Sequence, residues 1–113
     1  MPITTRVSLL RETPGAFETA VVELDDPRQG ELTVKLVATG LCHSDDHIAK
    51  GDLNAAHLPL VGGHEGAGVV TAVGPNTPGF EVGDHVVFSF LAACGVCEFC
   101  ARGMSNLCMK GST

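Results

Sequence analysis

The sequence predicts one mainly β domain of six to eight short strands with short helical turns. Hydrophobic residues make up 44% of the 113 residues, whereas aromatic residues make up only 4%. Valine is frequent, and 14 glycines and 6 prolines supply many turn positions. Because β-branched residues favour strands while glycine and proline favour turns, this composition indicates short strands joined by tight turns.

Five segments carry the predicted strands, and turn signals such as Thr13-Pro14-Gly15 separate them. The third segment alternates most clearly, with Leu32, Val34 and further apolar residues on one face. Gly40 then ends that strand. The predicted strands are residues 7–10, 17–24, 31–39, 66–73 and 85–90.

Residues 41–47, Leu-Cys-His-Ser-Asp-Asp-His, concentrate groups that bind metals and transfer protons. Ser44 and Asp45 are good helix N-cap residues, so a short helix is predicted over 46–50. The stretch follows directly on a strand, and a rigid element is therefore expected to present it. Residues 51–59 that follow are predicted as an irregular loop.

Charge and hydropathy exclude several function classes. The net charge of −6 disfavours a nucleic-acid surface. No apolar run approaches the roughly 18 residues that a transmembrane helix needs, and the first 17 residues lack the apolar core of a signal peptide. A cytoplasmic, reducing location is expected, with no membrane partner. In such a compartment the five cysteines are expected to be metal ligands or free thiols rather than disulfides.

Residues 92–113, called the cysteine lobe below, contain Cys94, Cys97, Cys100 and Cys108 in the spacing C-x2-C-x2-C-x7-C. Four thiolates with no further ligand form a closed, tetrahedral, structural zinc site. An iron–sulfur cluster is the alternative, but its fourth cysteine usually follows after three residues and precedes proline. A redox C-x-x-C would need a βαβ unit, and the pattern predicts none.

Cys42 and His64 suit a second, catalytic zinc, which keeps three protein ligands and leaves one position open. Asp45 can hold the far nitrogen of His64. Ser44 and His47, three residues apart, can pass a proton outward. Taken singly, a cysteine after a strand is more often a small buried hydrophobe, and the spacing does not show that Cys42 and His64 meet.

The combined motifs resemble the zinc-dependent medium-chain alcohol dehydrogenases. They are Gly-Leu-Cys-His-Ser-Asp-Asp-His at 40–47, Gly-Gly-His-Glu-Gly at 62–66, Val-Gly-Asp-His-Val at 82–86, and the cysteine lobe. They occur in the order of the family and cover nearly the whole chain. The resemblance implies the family's GroES-like catalytic domain, a partly open β-barrel with a cysteine-rich zinc lobe, over residues 1–113.

The resemblance also implies roles for individual residues. Cys42 and His64 correspond to the first two catalytic zinc ligands, and Glu65 to the carboxylate that can approach the metal as ligands exchange. Ser44 and His47 correspond to the proton relay, and Asp45 to the partner of His64. His43 stands where the family contacts the coenzyme pyrophosphate. The structural zinc ligands correspond to Cys94, Cys97, Cys100 and Cys108.

The implied reaction is reversible oxidation of a small alcohol to an aldehyde or ketone, with hydride transfer to NAD or NADP. The catalytic zinc acts as a Lewis acid that lowers the pKa of the alcohol. In some members of the family the cysteine lobe projects toward a partner subunit, so the resemblance allows a homo-oligomer.

Two parts that the family needs have no counterpart in the 113 residues. These are a third, downstream cysteine ligand and a Rossmann domain with G-x-G-x-x-G; Gly66-Ala67-Gly68 starts such a pattern, but Thr71 replaces its third glycine. We therefore expect a truncated or split catalytic domain that lacks the coenzyme-binding domain, binds its second zinc weakly and is inactive alone. The alternative is a stand-alone, zinc-stabilised GroES-like binding module without catalysis.

Overall fold

A computed structural model describes residues 2–53 and 57–110 of the chain. Its described residues form six strands, two short α-helices and one 3₁₀ turn. In chain order these are β1 (Ile3–Leu10), β2 (Glu18–Leu24), β3 (Leu32–Thr39), α1 (His43–Lys50), β4 (Leu60–Val61), β5 (Gly66–Val73), β6 (His85–Val87), α2 (Glu98–Ala101) and the 3₁₀ turn Ser105–Leu107. The mainly β class is thereby confirmed.

The first sheet has the strand order β2-β1-β4, and all its pairs are antiparallel. Leu9 and Leu10 lie at the end of β1 that pairs with β4, and both are buried. The turn after β1 also meets α1, because the Gly15 amide donates to the Ala49 carbonyl at 2.8 Å. This bond ties α1 to the turn that follows β1, and Ala49 is the buried residue of the helix.

The second sheet has the order β3-β5-β6, again antiparallel. Val70 of the central strand β5 is 1% exposed and is among the few fully buried side chains in the described part of the chain. The register shifts between Thr33 and Val34 and between Leu36 and Ala38. These irregularities interrupt the alternation predicted for this strand, because each shift changes which residues face the interior.

The strand predictions are confirmed with small differences in their ends. The segment 66–73 is correct as predicted, whereas β1 starts at Ile3, earlier than residue 7. The predicted strand 85–90 ends at Val87, although the Phe88 amide still donates to the Gly66 carbonyl. The loop predicted over 51–59 includes residues 54–56, and the cysteine lobe includes 111–113; these parts lie outside the described residues.

The helix prediction was wrong about its start. The structure has α1 from His43, with Cys42 as its N-cap, rather than from residue 46. Asp45 is the third helical residue, and its carboxylate accepts the Cys42 amide at 3.3 Å. An acidic residue at this position satisfies an otherwise unpaired amide at the helix start, which is why the helix begins earlier.

The two sheets do not close, in agreement with the partly open barrel that the resemblance implies. Several apolar side chains remain on the surface, with Leu41 95% and Val96 80% exposed. Large exposed apolar surfaces in folded proteins mark contact regions. No helix among the described residues is long and apolar enough to cross a membrane.

Candidate metal and catalytic sites

The pairing of β3 with β5 brings the two predicted halves of the catalytic site together. Thr39 pairs with Gly66 at the end of both strands, and the next residue, Gly40, donates its amide to the Glu65 carbonyl at 3.1 Å. α1 begins three residues after Gly40, with Cys42 as its N-cap, and β5 begins directly after Glu65. Residues 42 and 64 therefore lie side by side, although 22 positions separate them in the sequence.

One group of three possible ligands forms there. The ligand atoms of Cys42, His64 and Glu65 all lie within 4.8 Å of one another. A thiolate, an imidazole and a carboxylate around one point form a donor set that suits zinc, and three protein ligands leave an open position. The donors present therefore fit the metal that the resemblance implies.

Asp45 connects both sides of this site. One carboxylate oxygen accepts the backbone amide of Cys42, and the other lies 3.5 Å from His64 Nδ1. The Asp45 side chain is 13% exposed and that of His64 is 21% exposed, so water screens this contact only partly. A carboxylate behind a histidine fixes the ring orientation and leaves Nε2 for a metal, which agrees with the role expected for Asp45.

Cys42, His64 and Glu65 line a shallow cleft, and Ser44 lies in it too. The Ser44 hydroxyl is buried without a hydrogen-bond partner of normal geometry among the described residues. The Ser44 hydroxyl is still close enough to act on the neighbouring thiol. Together with the Ser44 amide and His64, it holds the pKa of Cys42 below its usual value. A thiol with a lowered pKa supplies the thiolate that a metal ion needs.

His43 and His47 lie on the outer side of α1, where their rings stack at 4.3 Å between centroids. Asp52 Oδ2 is 3.2 Å from His47 Nδ1. Because Ser44 Oγ has no partner in the described part of the chain, no direct hydrogen bond links Ser44 to His47. The predicted relay therefore needs a bridging water or hydroxyl group between these two side chains.

Phe88 and Phe90 complete the cleft, and the sequence analysis did not identify either of them as a site residue. The Phe90 ring packs against the His64 ring at 4.6 Å between centroids, with an interplanar angle of 57°. This contact packs an aromatic ring beside the imidazole. Both residues stood in a segment predicted as a strand, and nothing in their spacing distinguished them from core residues.

In the cysteine lobe, the sulfur atoms of all four cysteines lie within 4.8 Å of one another, and none is in a disulfide. Backbone amides point at the sulfurs: Cys97 donates to Cys94 Sγ at 3.2 Å, and Cys100 donates to Cys97 Sγ at 3.4 Å. Amides directed at sulfur stabilise the thiolate form. The geometry therefore agrees with the four-cysteine zinc site expected from the spacing.

The four thiols do not ionise alike. The amides of Cys100 and Met109 lower the pKa of Cys97 to about 6. The Gly95 amide favours the Cys100 thiolate, but burial and the three neighbouring sulfurs outweigh it and raise the pKa of Cys100 to about 11. Without a cation, the crowded cluster therefore keeps at least one proton at neutral pH.

This proton makes zinc binding depend on pH. A zinc ion takes four thiolates, so binding must release the proton of Cys100. Between the pKa values of Cys97 and Cys100, affinity is expected to increase about tenfold per pH unit for each proton released. Competition with a chromophoric chelator from about pH 6.5 to about pH 8.5 measures this slope.

The replacement Cys42→Ser leaves the cysteine lobe intact and should show the same pH slope at the tight site. A zinc affinity that stays constant over this range would contradict the raised pKa of Cys100. Loss of one proton per zinc, measured in weakly buffered solution, gives an independent reading of the same quantity.

The chain also matches known proteins. The family described as "Alcohol dehydrogenase GroES-like domain" matches residues 28–113. An "NDMA-dependent alcohol dehydrogenase" of Amycolatopsis methanolica is 50% identical over 109 residues, which cover 96% of this chain and 29% of that protein. An "S-(hydroxymethyl)glutathione dehydrogenase" of Photobacterium damsela subsp. piscicida is 45% identical over 91 residues, covering 79% of this chain and 25% of that protein.

The fold also matches solved structures of alcohol dehydrogenases. An "Alcohol dehydrogenase zinc-binding domain protein" from Burkholderia ambifaria superposes with a TM-score of 0.89 and 39% identity, over 98% of this chain and 30% of that one. Benzyl alcohol dehydrogenase from Acinetobacter calcoaceticus superposes with a TM-score of 0.85 and 36% identity, over 96% of this chain and 30% of that one. The chain thus spans less than a third of the length of the relatives it matches.

Proposed function

The chain belongs to the alcohol dehydrogenase GroES-like domain family, and on this premise we propose that residues 1–113 form the metal-binding catalytic part of an NAD(P)-dependent zinc alcohol dehydrogenase. The observation that carries the proposal is the convergence of Cys42, His64 and Glu65 within 4.8 Å, with Asp45 behind His64. A module that only binds would need no open three-ligand site beside an unpartnered hydroxyl.

The proposed reaction is oxidation of a small alcohol to an aldehyde or ketone, in which the hydroxyl group loses its proton and the carbon transfers a hydride to the nicotinamide of NAD or NADP. Cys42, His64 and Glu65 would hold a zinc ion, which would supply Lewis-acid chemistry toward the alcohol oxygen. Ser44 accepts the hydroxyl proton of the substrate and passes its own hydroxyl proton on, because its hydroxyl is buried at the cleft without a hydrogen-bond partner of normal geometry among the described residues. His47, which Asp52 holds at the helix end, takes the proton from Ser44 through the bridging water or hydroxyl group and releases it to solvent.

The coenzyme is proposed to be NAD or NADP, bound mainly by residues outside these 113. His43 is the residue of this chain proposed to contact its pyrophosphate, because it stands exposed in the first turn of α1. Asp46 lies 3.7 Å from His43 Nε2 and 2.9 Å from Lys50 Nζ, so its carboxylate is held on this outer face rather than in the cleft.

The cysteine lobe is proposed to hold a structural zinc ion, and a homo-oligomer and a cytoplasmic location are proposed for the working enzyme. The lobe has no open coordination position, since four sulfurs already surround one point. Its role is therefore to hold residues 94–108 in place rather than to bind substrate.

Metal analysis of the chain tests this proposal. Two zinc ions per chain are expected, one tight in the cysteine lobe and one weaker at Cys42 and His64. With the lobe filled by zinc and cobalt at the second site, benzyl alcohol should shift the cobalt absorption bands. Cys42→Ser and His64→Ala should each remove the second ion and leave the first.

If the chain binds one ion, and Cys42→Ser changes neither its metal content nor its cobalt spectrum, the binding-module alternative holds instead. Turnover is assayed on a protein that also supplies the coenzyme-binding residues. NDMA belongs among the oxidants tested there, because it appears in the name of the relative from Amycolatopsis methanolica.

A further inference from the structure

Gly40 makes an unusually close approach to the side chain of Glu65. Its amide donates to the Glu65 carbonyl at 3.1 Å. A Cβ atom added to Gly40 would overlap Glu65 Oε2 and would lie 3.3 Å from both Cβ and Cδ of the same residue. The carboxylate therefore occupies the space that any side chain at position 40 would take.

The need for glycine here is steric and not conformational. Gly40 is not among the glycines with positive φ, so its backbone conformation is open to alanine. Gly63 shows the opposite case, with a φ of 99° and nothing within 4 Å of an added Cβ. Among the described atoms, those nearest to a Cβ at position 40 all belong to Glu65.

Glu65 can move without disturbing the fold. Its side chain is exposed and ends in a flexible carboxylate, and only this far end overlaps the added atom. Alanine at position 40 would therefore displace the carboxylate at little cost to the sheet. The same displacement would take a ligand atom away from Cys42 and His64.

We propose that Gly40 is a positioning residue for the metal site: its bare backbone leaves the room in which the Glu65 carboxylate lies beside Cys42 and His64. The proposal rests on the proposed function, because it assumes that these three residues bind a metal ion. It adds that Gly40, the residue directly after β3, controls the third ligand of the site.

The test is cobalt binding to the full 113-residue chain after the cysteine lobe has been filled with zinc. Gly40→Ala is expected to weaken cobalt binding at the second site about tenfold, the size typical of lost ligand-positioning contacts. The cobalt absorption bands should shift because the coordination changes. The unfolding temperature should stay the same or increase slightly, because alanine restricts the unfolded chain.

A double-mutant cycle separates positioning from other effects. If Gly40 acts through Glu65, Gly40→Ala should cause no further loss of affinity in a Glu65→Ala background. Full additivity of the two losses would overturn the proposal, and so would unchanged cobalt affinity and spectrum in Gly40→Ala alone.

Gly79→Ala is the matched control, because it adds the same methyl group in the turn between β5 and β6, away from the metal site. Gly79 has a φ of 94° and no atom within 4 Å of an added Cβ. This control should lose stability and keep the cobalt affinity, the reverse of Gly40→Ala. A parent chain that binds no second cobalt ion overturns the metal site itself, an outcome distinct from a Gly40→Ala variant that binds as the parent does.

Discussion

Replacing Cys108 with serine is expected to release the metal ion of the cysteine lobe. Cys108 is buried, its sulfur accepts the Cys94 amide at 3.3 Å, and it lies 4.0 Å from Cys97 Sγ. Structural zinc sites in small peptides bind with about 10–16 kcal/mol, so one of four ligands accounts for roughly 3 kcal/mol. Zinc affinity should therefore fall by more than about 100-fold. Zinc per chain after dialysis against a chelator measures the loss.

The cysteine in the other site provides the control. Cys42→Ser should keep the tight zinc ion, since Cys42 belongs to the group with His64 and Glu65. A Cys108→Ser variant that retains zinc as firmly as the parent would refute the structural-site assignment. A brown parent protein with visible absorbance would instead indicate the iron–sulfur alternative.

The fold was predictable where local pattern decides it. Residues 66–73 are small or β-branched, and β5 has these bounds, because such residues pack well in the centre of a sheet. The start of α1 was not predictable from residue preference alone. Ser44 and Asp45 both suit an N-cap, but the Asp45 carboxylate reaches back to the Cys42 amide and starts the helix earlier.

The site was predictable as a set of residue types but not as an arrangement. Each half was recognisable from its own motif, whereas their meeting depends on the register that pairs Thr39 with Gly66. Register follows from turns and bulges along two strands, and a shift of one residue would have moved Cys42 away from His64. The contact of Phe90 with His64 also depends on how the strands pair, and no sequence pattern indicated it.

No third ligand was expected within the 113 residues, although the resemblance placed Glu65 near the metal. In the structure, a carboxylate oxygen of Glu65 lies within 4.8 Å of the ligand atoms of Cys42 and His64. Because the Glu65 carboxylate is the third possible ligand beside Cys42 and His64, metal binding can be tested on this chain alone. The position of Glu65 also explains why the bare backbone of Gly40 matters.

Replacing Gly74 with alanine is expected to cause the largest loss of folding stability of any single methyl addition considered. Gly74 is buried, and an added Cβ would overlap the Arg28 carbonyl oxygen and lie 2.6 Å from the Arg28 carbonyl carbon. Both are backbone atoms, which cannot rotate away. Overpacking of this kind costs typically 1–3 kcal/mol and occasionally more, so we expect about 3 kcal/mol. Urea unfolding of the zinc-loaded chain measures it.

The loss has a second cause, because the backbone shift would also strain a hydrogen bond. The Gly74 amide donates to the Glu31 carbonyl at 2.9 Å and ties the end of β5 to the turn before β3. Gly79→Ala, five residues further on, meets no atom and should cost about 1 kcal/mol through its positive φ alone. Equal losses of unfolding free energy in the two variants would contradict the prediction, because they would show that the backbone near Arg28 can shift at little energetic cost. The free energy of unfolding of a small domain is only about 5–15 kcal/mol, so a threefold difference between the losses in Gly74→Ala and Gly79→Ala is readily measured.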